Sequence, residues 1–168
     1  MSDLRYEAPA TLKAASALLA KENGLAKILA GGTDVIVQME TDLIEPALLV
    51  DIKKVPGLRK ITPEKGGFRI GAAVSGMEMM EHADLCKTWP GVIDGVKLIG
   101  SIQVKARATV AGNLCNGSPA ADSVPPMVAA GAMATIVGPE KKRTIPVEQI
   151  PAGPGKTTLA KGEIIESF

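Results

Sequence analysis

Residues 28–35 read ILAGGTDV, an apolar run that meets two glycines, a threonine and an aspartate before hydrophobic residues resume. Lys27 to Ala30 has the character of a buried strand, and Val35, Ile36 and Met39 suggest a short helix. Gly31 and Gly32 therefore fall at a strand-to-helix corner. A diphosphate held by backbone needs successive unobstructed N–H groups, with glycine where the chain must come close or take positive φ. This stretch meets that description. The glycines permit the turn, Thr33 adds a hydroxyl, and the amides through Asp34 and Val35 can face an anion while the Asp34 carboxylate turns away to cap the helix. Gly-Gly-Thr is also common in ordinary turns, so the reading needs a second element.

That element is TVAGNLCNGSPAAD at residues 109–122. Gly112 and Asn113 suit a tight turn, Thr109 and Ser118 bring hydroxyls, and Asp122 can accept hydrogen bonds from a ribose or an amide. Residues 101–122 show no sustained period, and a long irregular segment inside a small domain is usually functional.

Outward from these loops, Leu4 to Glu7 reads as a short strand. Leu12, Ala15, Ser16 and Leu19 follow at helical spacing, with Thr11 as N-cap and Gly24 as stop. Residues 47–52 form an apolar strand, and Pro56-Gly57 turns the chain out of a first α/β unit. Beyond it LRKIT and FRIGAAV read as strands, SGMEMMEHADLC as one helix capped by Ser75, and residues 89–99 as another. SVPPMVAAGA is a helix opened by proline, MATIVGPEKKRTIPV is a pair of strands, and GEIIESF begins a last strand. The order is that of an α+β protein of two lobes, divided near residue 55.

Composition narrows the function. Tyr6, Phe68, Trp89 and Phe168 are the only aromatics, so the core is aliphatic and stacking on bases is not expected; 19 basic against 18 acidic residues give no electrostatic case for nucleic acid or a membrane surface. Two cysteines and one histidine are too few for a zinc or iron–sulfur site. No run approaches the roughly 20 apolar residues of a membrane span, and the start of the chain lacks an apolar leader, so a cytoplasmic location is expected. His82 reads as a helix-surface residue. AGPGKTTL at 152–159 has the end of a phosphate-binding P-loop, but Ile150 stands where the first glycine belongs, and Pro151 and Pro154 remove two donors.

Taken together, ILAGGTDVIVQM (28–39) and IGSIQVKARATVAGNLCNGSPAADSVPP (99–126) resemble the FAD-binding subunit of molybdenum hydroxylases, the family of xanthine dehydrogenase and aerobic carbon monoxide dehydrogenase. The resemblance implies the PCMH-type (vanillyl-alcohol-oxidase-like) FAD-binding fold: a small α/β lobe over 1–55, a larger α+β lobe over 56–160, and at 161–168 the start of a strand leading to a C-terminal lobe. That lobe adds about a hundred residues in the family, one small domain, so the chain is expected to be a fragment or to receive the lobe from a separate chain. By the same resemblance Ile28, Leu29, Ala30, Gly31, Gly32, Thr33, Asp34 and Val35 wrap the diphosphate and adjoining FAD. Thr109, Ala111, Gly112 and Asn113 form the second wall, with Ala111 where the usual T-I-G-G-N has glycine. Asp122 contacts the adenosine half, Ile99 and Ile165 flank the flavin ring, and Cys115 is a small apolar filler. GPGKTTL becomes a lobe-connecting loop.

The function implied is electron transfer within a heterotrimeric oxidoreductase. A large subunit carries the molybdopterin cofactor and a small subunit carries [2Fe–2S] clusters; FAD on this chain takes their electrons and passes them to NAD or another acceptor. No catalytic acid, base or metal ligand is expected on this chain. A stand-alone flavin oxidase of the same fold, a P-loop NTPase and an assembly subunit without flavin remain as alternatives.

Overall fold

The computed structural model describes residues 4–168; residues 1–3, part of the stretch read for a leader, lie outside them. The first unit runs β1 (Arg5–Glu7), α1 (Leu12–Lys21), β2 (Ala26–Leu29), α2 (Val35–Glu40) and β3 (Leu48–Asp51). Thr11 is extended and its Oγ1 accepts from the Ala14 amide at 3.1 Å, which starts α1 and turns Leu12, Ala15, Ser16 and Leu19 inward. The helix ends at Lys21, earlier than Gly24, because Glu22 is already extended and its carboxylate takes the Gly24 amide at 2.9 Å. The strands pair in parallel in the order β1-β3-β2. β3, flanked on both edges, is buried throughout: Leu48, Leu49 and Val50 are apolar, and Asp51 at its end is hydrogen-bonded.

After the Pro56-Gly57 turn come the hairpin β4 (Ile61–Glu64) and β5 (Gly67–Ile70), then six short helices: α3 (Gly76–Glu81), α4 (Ala83–Thr88), α5 (Pro90–Lys97), α6 (Ile102–Lys105), α7 (Val110–Asn116) and α8 (Val124–Ala129). Strands β6 (Met133–Val137), β7 (Lys142–Pro146), β8 (Pro151–Gly153), β9 (Lys156–Thr157) and β10 (Ile164–Ser167) follow. A second sheet has the antiparallel order β10-β6-β7.

Two apolar clusters result. The first gathers Leu12, Leu19, Leu48, Val50 and Val55 together with Leu58, Ala73 and Ile164; the second gathers Met79, Leu85, Val96, Leu114, Ile136 and Ile165. Residues beyond 55 thus complete the first cluster. Ile164 and Ile165, adjacent on β10 and facing opposite ways, belong one to each.

Three elements differ from the sequence reading. SGMEMMEHADLC is two helices meeting at His82, whose Nδ1 accepts from the Leu85 amide at 3.2 Å. His82 is thus a cap, with its ring edge-on to Phe68 at 5.5 Å, and not a surface residue of one helix. Residues 101–122 contain α6 and α7, of four and seven residues, too short to print a period on the sequence. AGPGKTTL is the hairpin β8–β9, strapped to the end of α7: the Gly155 amide donates to the Gly117 carbonyl at 2.9 Å, and a Cβ on Gly117, at φ +65, would stand 2.9 Å from the Lys156 nitrogen. These glycines serve docking of the hairpin.

Ser16, without solvent exposure, donates at 2.7 Å to the buried Gly162 carbonyl and so ties α1 to the segment entering β10. Ser16→Ala is expected to lower stability by about 1–3 kcal/mol, the range for stranding a buried acceptor, measured by urea unfolding. Burial pushes the Asp51 carboxyl up, but the Tyr6 hydroxyl at 2.6 Å and the Lys53 amide and ammonium, each at 2.9 Å, outweigh it and hold the group below the usual carboxylate range. A depressed carboxyl contributes stability that is present above its unfolded value, about 3.9, and lost as pH falls through the folded one. Asp51→Asn is therefore expected to weaken the fold at neutral pH and to flatten the acid limb of its stability profile.

Candidate functional site

A cleft of about 570 Å³ is lined by Ile28, Ala30–Val35, Ile99, Val104, Ala108, Thr109, Ala111–Asn113 and Ile165, with Lys27, Lys161 and Glu163 also in its lining. Its two loops touch through backbone. A Cβ on Gly31 would lie 2.1 Å from the Arg107 carbonyl oxygen and 3.0 Å from the Ala108 Cα, so only glycine allows the approach. Gly32 follows at φ +82, which turns the chain from β2 into α2.

That turn leaves donors open. Among the described residues, the backbone N–H groups of Gly31, Gly32, Thr33 and Asp34 donate no hydrogen bond within the chain, and the Gly32 carbonyl is already engaged by the Ile36 amide at 3.1 Å. Gly31, Gly32 and Thr33 are half-buried and Asp34 is exposed, so these donors are open to solvent, and four successive ones beside a cleft suit an anionic ligand. Asp34 occupies the N-cap position of α2 but makes no cap hydrogen bond, since its backbone is already helical, and its side chain is exposed. The expected cap is therefore not formed.

The second wall is built differently from its sequence reading. Gly112 and Asn113 lie in the first turn of α7, not in a tight turn. Thr109 is extended, caps that helix, and accepts from the Gly112 amide at 3.0 Å, so this donor is used internally. Ala111, at the position of the usual glycine, is 6% exposed and packs in the second apolar cluster. Asn113 Oδ1 accepts from the fully buried Ser123 hydroxyl at 2.6 Å, which orients the amide. Ser118 keeps its hydroxyl in its own turn, accepting from the Ala120 amide at 3.2 Å.

Two of the residues expected from sequence do not line the cleft. Leu29 is buried beneath the Gly32 turn, its Cδ1 3.1 Å from where a Gly32 Cβ would stand. Its neighbours Ile28 and Ala30 line the cleft. Asp122 is exposed outside the cleft, in a loop whose backbone packs on α5 through Gly95. Sequence reading missed Ser123, Lys27, Ile52 and Val104. Only the adjacency of Lys27 to the glycine stretch could have signalled any of them.

Glu163 is occupied. Arg143 grips both its oxygens at 2.7 Å, the Ala160 amide donates at 2.8 Å, and these bonds hold the carboxyl below its ordinary range, so it is no base for cleft chemistry. Cys115 is exposed on the rim of the cleft, and the desolvation imposed by the surrounding walls pushes its thiol up to about 12. A thiol of that kind stays protonated at neutral pH, and its exposure sets it apart from the packed filler expected from the sequence. The donor row, the glycine contact and the aliphatic lining together fit an extended dinucleotide.

The fold is α+β with a cleft suited to a dinucleotide, and comparison with known proteins gives the family. The sequence pattern described as FAD binding domain in molybdopterin dehydrogenase matches residues 2–168, and the chain belongs to that family. The xanthine dehydrogenase FAD-binding subunit of Escherichia coli O157:H7 is 37% identical over 164 residues, which are 97% of this chain and 56% of that protein. The carbon monoxide dehydrogenase medium chain of Hydrogenophaga pseudoflava is 31% identical over 160 residues, 95% of this chain and 56% of that one. The solved carbon monoxide dehydrogenase of Hydrogenophaga pseudoflava superposes with a TM-score of 0.93 at 30% identity, over 98% of this chain and 57% of the other. Quinoline 2-oxidoreductase from Pseudomonas putida 86 follows at 0.91 and 26%, with the same coverage. The chain thus spans a little over half the length of these relatives. Among the described residues no helix is long and apolar enough to cross a membrane.

Cys115 is expected to react with iodoacetamide at pH 8 far more slowly than a free small-molecule thiol, and its rate with and without added FAD tells whether that cofactor covers it. Peptide mapping of the alkylated chain reads both rates.

Proposed function

We propose that this chain is the flavin-carrying part of a molybdenum hydroxylase-type complex. In this reading a large partner subunit holds the molybdopterin cofactor and a small one holds the [2Fe–2S] clusters that deliver electrons. NAD is the first acceptor to test. The relatives, subunits of xanthine and carbon monoxide dehydrogenases, support the assignment. FAD, when bound, supplies the redox chemistry, accepting electrons singly or in pairs.

The chain's own residues bind and shield. The lobes before and after about residue 55 would act as the two sides of the cleft. The free amides of Gly31, Gly32, Thr33 and Asp34 carry this reading: they would receive the diphosphate, helped by the Thr33 hydroxyl and the Asn113 amide held by Ser123. Ile28, Ile99 and Ile165 would keep water from the apolar parts of the cofactor. No residue need move a proton in this scheme.

Titration of the purified chain with FAD, followed by flavin fluorescence and the visible spectrum, is the test. Uptake is expected. Gly32→Asp, which sets a carboxylate against the diphosphate on a left-handed backbone, should weaken it by about a hundredfold or more, while Lys156→Ala should leave it unchanged. A correctly folded chain that takes up no FAD sinks the proposal.

A further inference from the structure

Lys105 is buried, at 9% exposure, and its ammonium is held by backbone: it donates to the Lys97 carbonyl at 3.0 Å and to the Gly100 carbonyl at 2.9 Å. Lys97 closes α5, so its carbonyl belongs to the negative end of that helix, where a cation is favoured. Gly100 follows at φ +51, and Val104 Cβ stands 3.0 Å from where a Gly100 Cβ would be. Between the two gripped carbonyls lie Leu98, which is 67% exposed, and Ile99, which lines the cleft as Val104 does. The turn's own backbone bonds are modest: Leu98 N to Gly95 O at 3.3 Å and Ile99 N to Val96 O at 3.1 Å. The clamp reaches back from α6, the helix that leads into the Arg107 contact with Gly31.

We propose that Lys105 is a positioning residue for the flavin: by gripping Lys97 O and Gly100 O it holds Ile99, beside Val104, in the wall against which the cofactor lies. The inference rests on the placement of FAD in this cleft proposed above. An ammonium suits the role because it donates in several directions and accepts from none, so it can gather carbonyls but offers the ligand no competing acceptor.

Lys105→Met keeps the apolar stem and removes the donors. The variant chain is expected to bind FAD about tenfold more weakly, the scale of losing hydrogen bonds from a charged group, with the visible band of its bound flavin moved toward that of free FAD. Ile99→Ala should give a loss and a shift of the same kind. The double variant should then be no worse than Ile99→Ala alone, since residues acting through one another are not additive. Lys105→Arg should recover most of the affinity. Simple addition of the two losses, or Lys105→Met with unaltered affinity and spectrum, overturns the proposal. Should Lys105→Met fail to fold by circular dichroism, Lys105→Gln, which keeps a donor, takes its place in the same cycle and is judged by the same additivity. Failure of the unmodified chain to take up FAD strikes the flavin reading itself; uptake by that chain with no effect at Lys105 strikes only this inference.

Discussion

The cleft depends on one close approach, the Cα of Gly31 against the carbonyl of Arg107. A single methyl there would overlap a backbone oxygen, and neither side can yield easily. The Arg107–Thr109 backbone is pinned from behind by the Gly76 amide on the Ala108 carbonyl at 2.8 Å and by the bridge between Ser75 and Thr109. Gly31 is pinned from its own side by the parallel pairing of β2 with β3. Two loops distant in sequence are thereby brought together by main-chain contacts. A site assembled in this way asks little of most side chains, which suits a fold that superposes at a TM-score of 0.93 on a relative only 30% identical.

Electrostatics enter mainly through dipoles. The cleft presents amide N–H groups on the Gly31–Asp34 side, while Glu163, the acid in its lining with the tightest partners, is neutralised by Arg143. Partial charges held by secondary structure cost no reorganisation when an anion arrives.

Much of this was legible in the sequence because the decisive signals are local. Thr11 and Ser75 declare their helices by cap chemistry, and Gly31-Gly32 declares a turn after a strand. What was not legible is relational. The Thr109 hydroxyl uses the Gly112 amide, so the second wall offers less to a ligand than its glycine suggests. Leu29 and Ile28 are equally apolar in the sequence, and only the strand's pairing decides which faces the cleft. Asp122 and Ser123 are neighbours, yet the loop turns the buried hydroxyl toward Asn113 and leaves the carboxylate in solvent. His82 broke an otherwise continuous helical pattern through a ring nitrogen that periodicity does not count.

Strand β10 places Ile164 in one apolar cluster and Ile165 in the other. Residues 164–167 follow the other described elements of both clusters along the chain, so during synthesis each core lacks one of its buried side chains until this strand has left the ribosome. The early α/β unit must then wait with part of its apolar face uncovered, a state that chaperones recognise and that favours aggregation. Once β10 arrives, its pairing with β6 adds a buried side chain to each core at once. The two halves of the molecule are thereby coupled, and loss of that strand would melt them together.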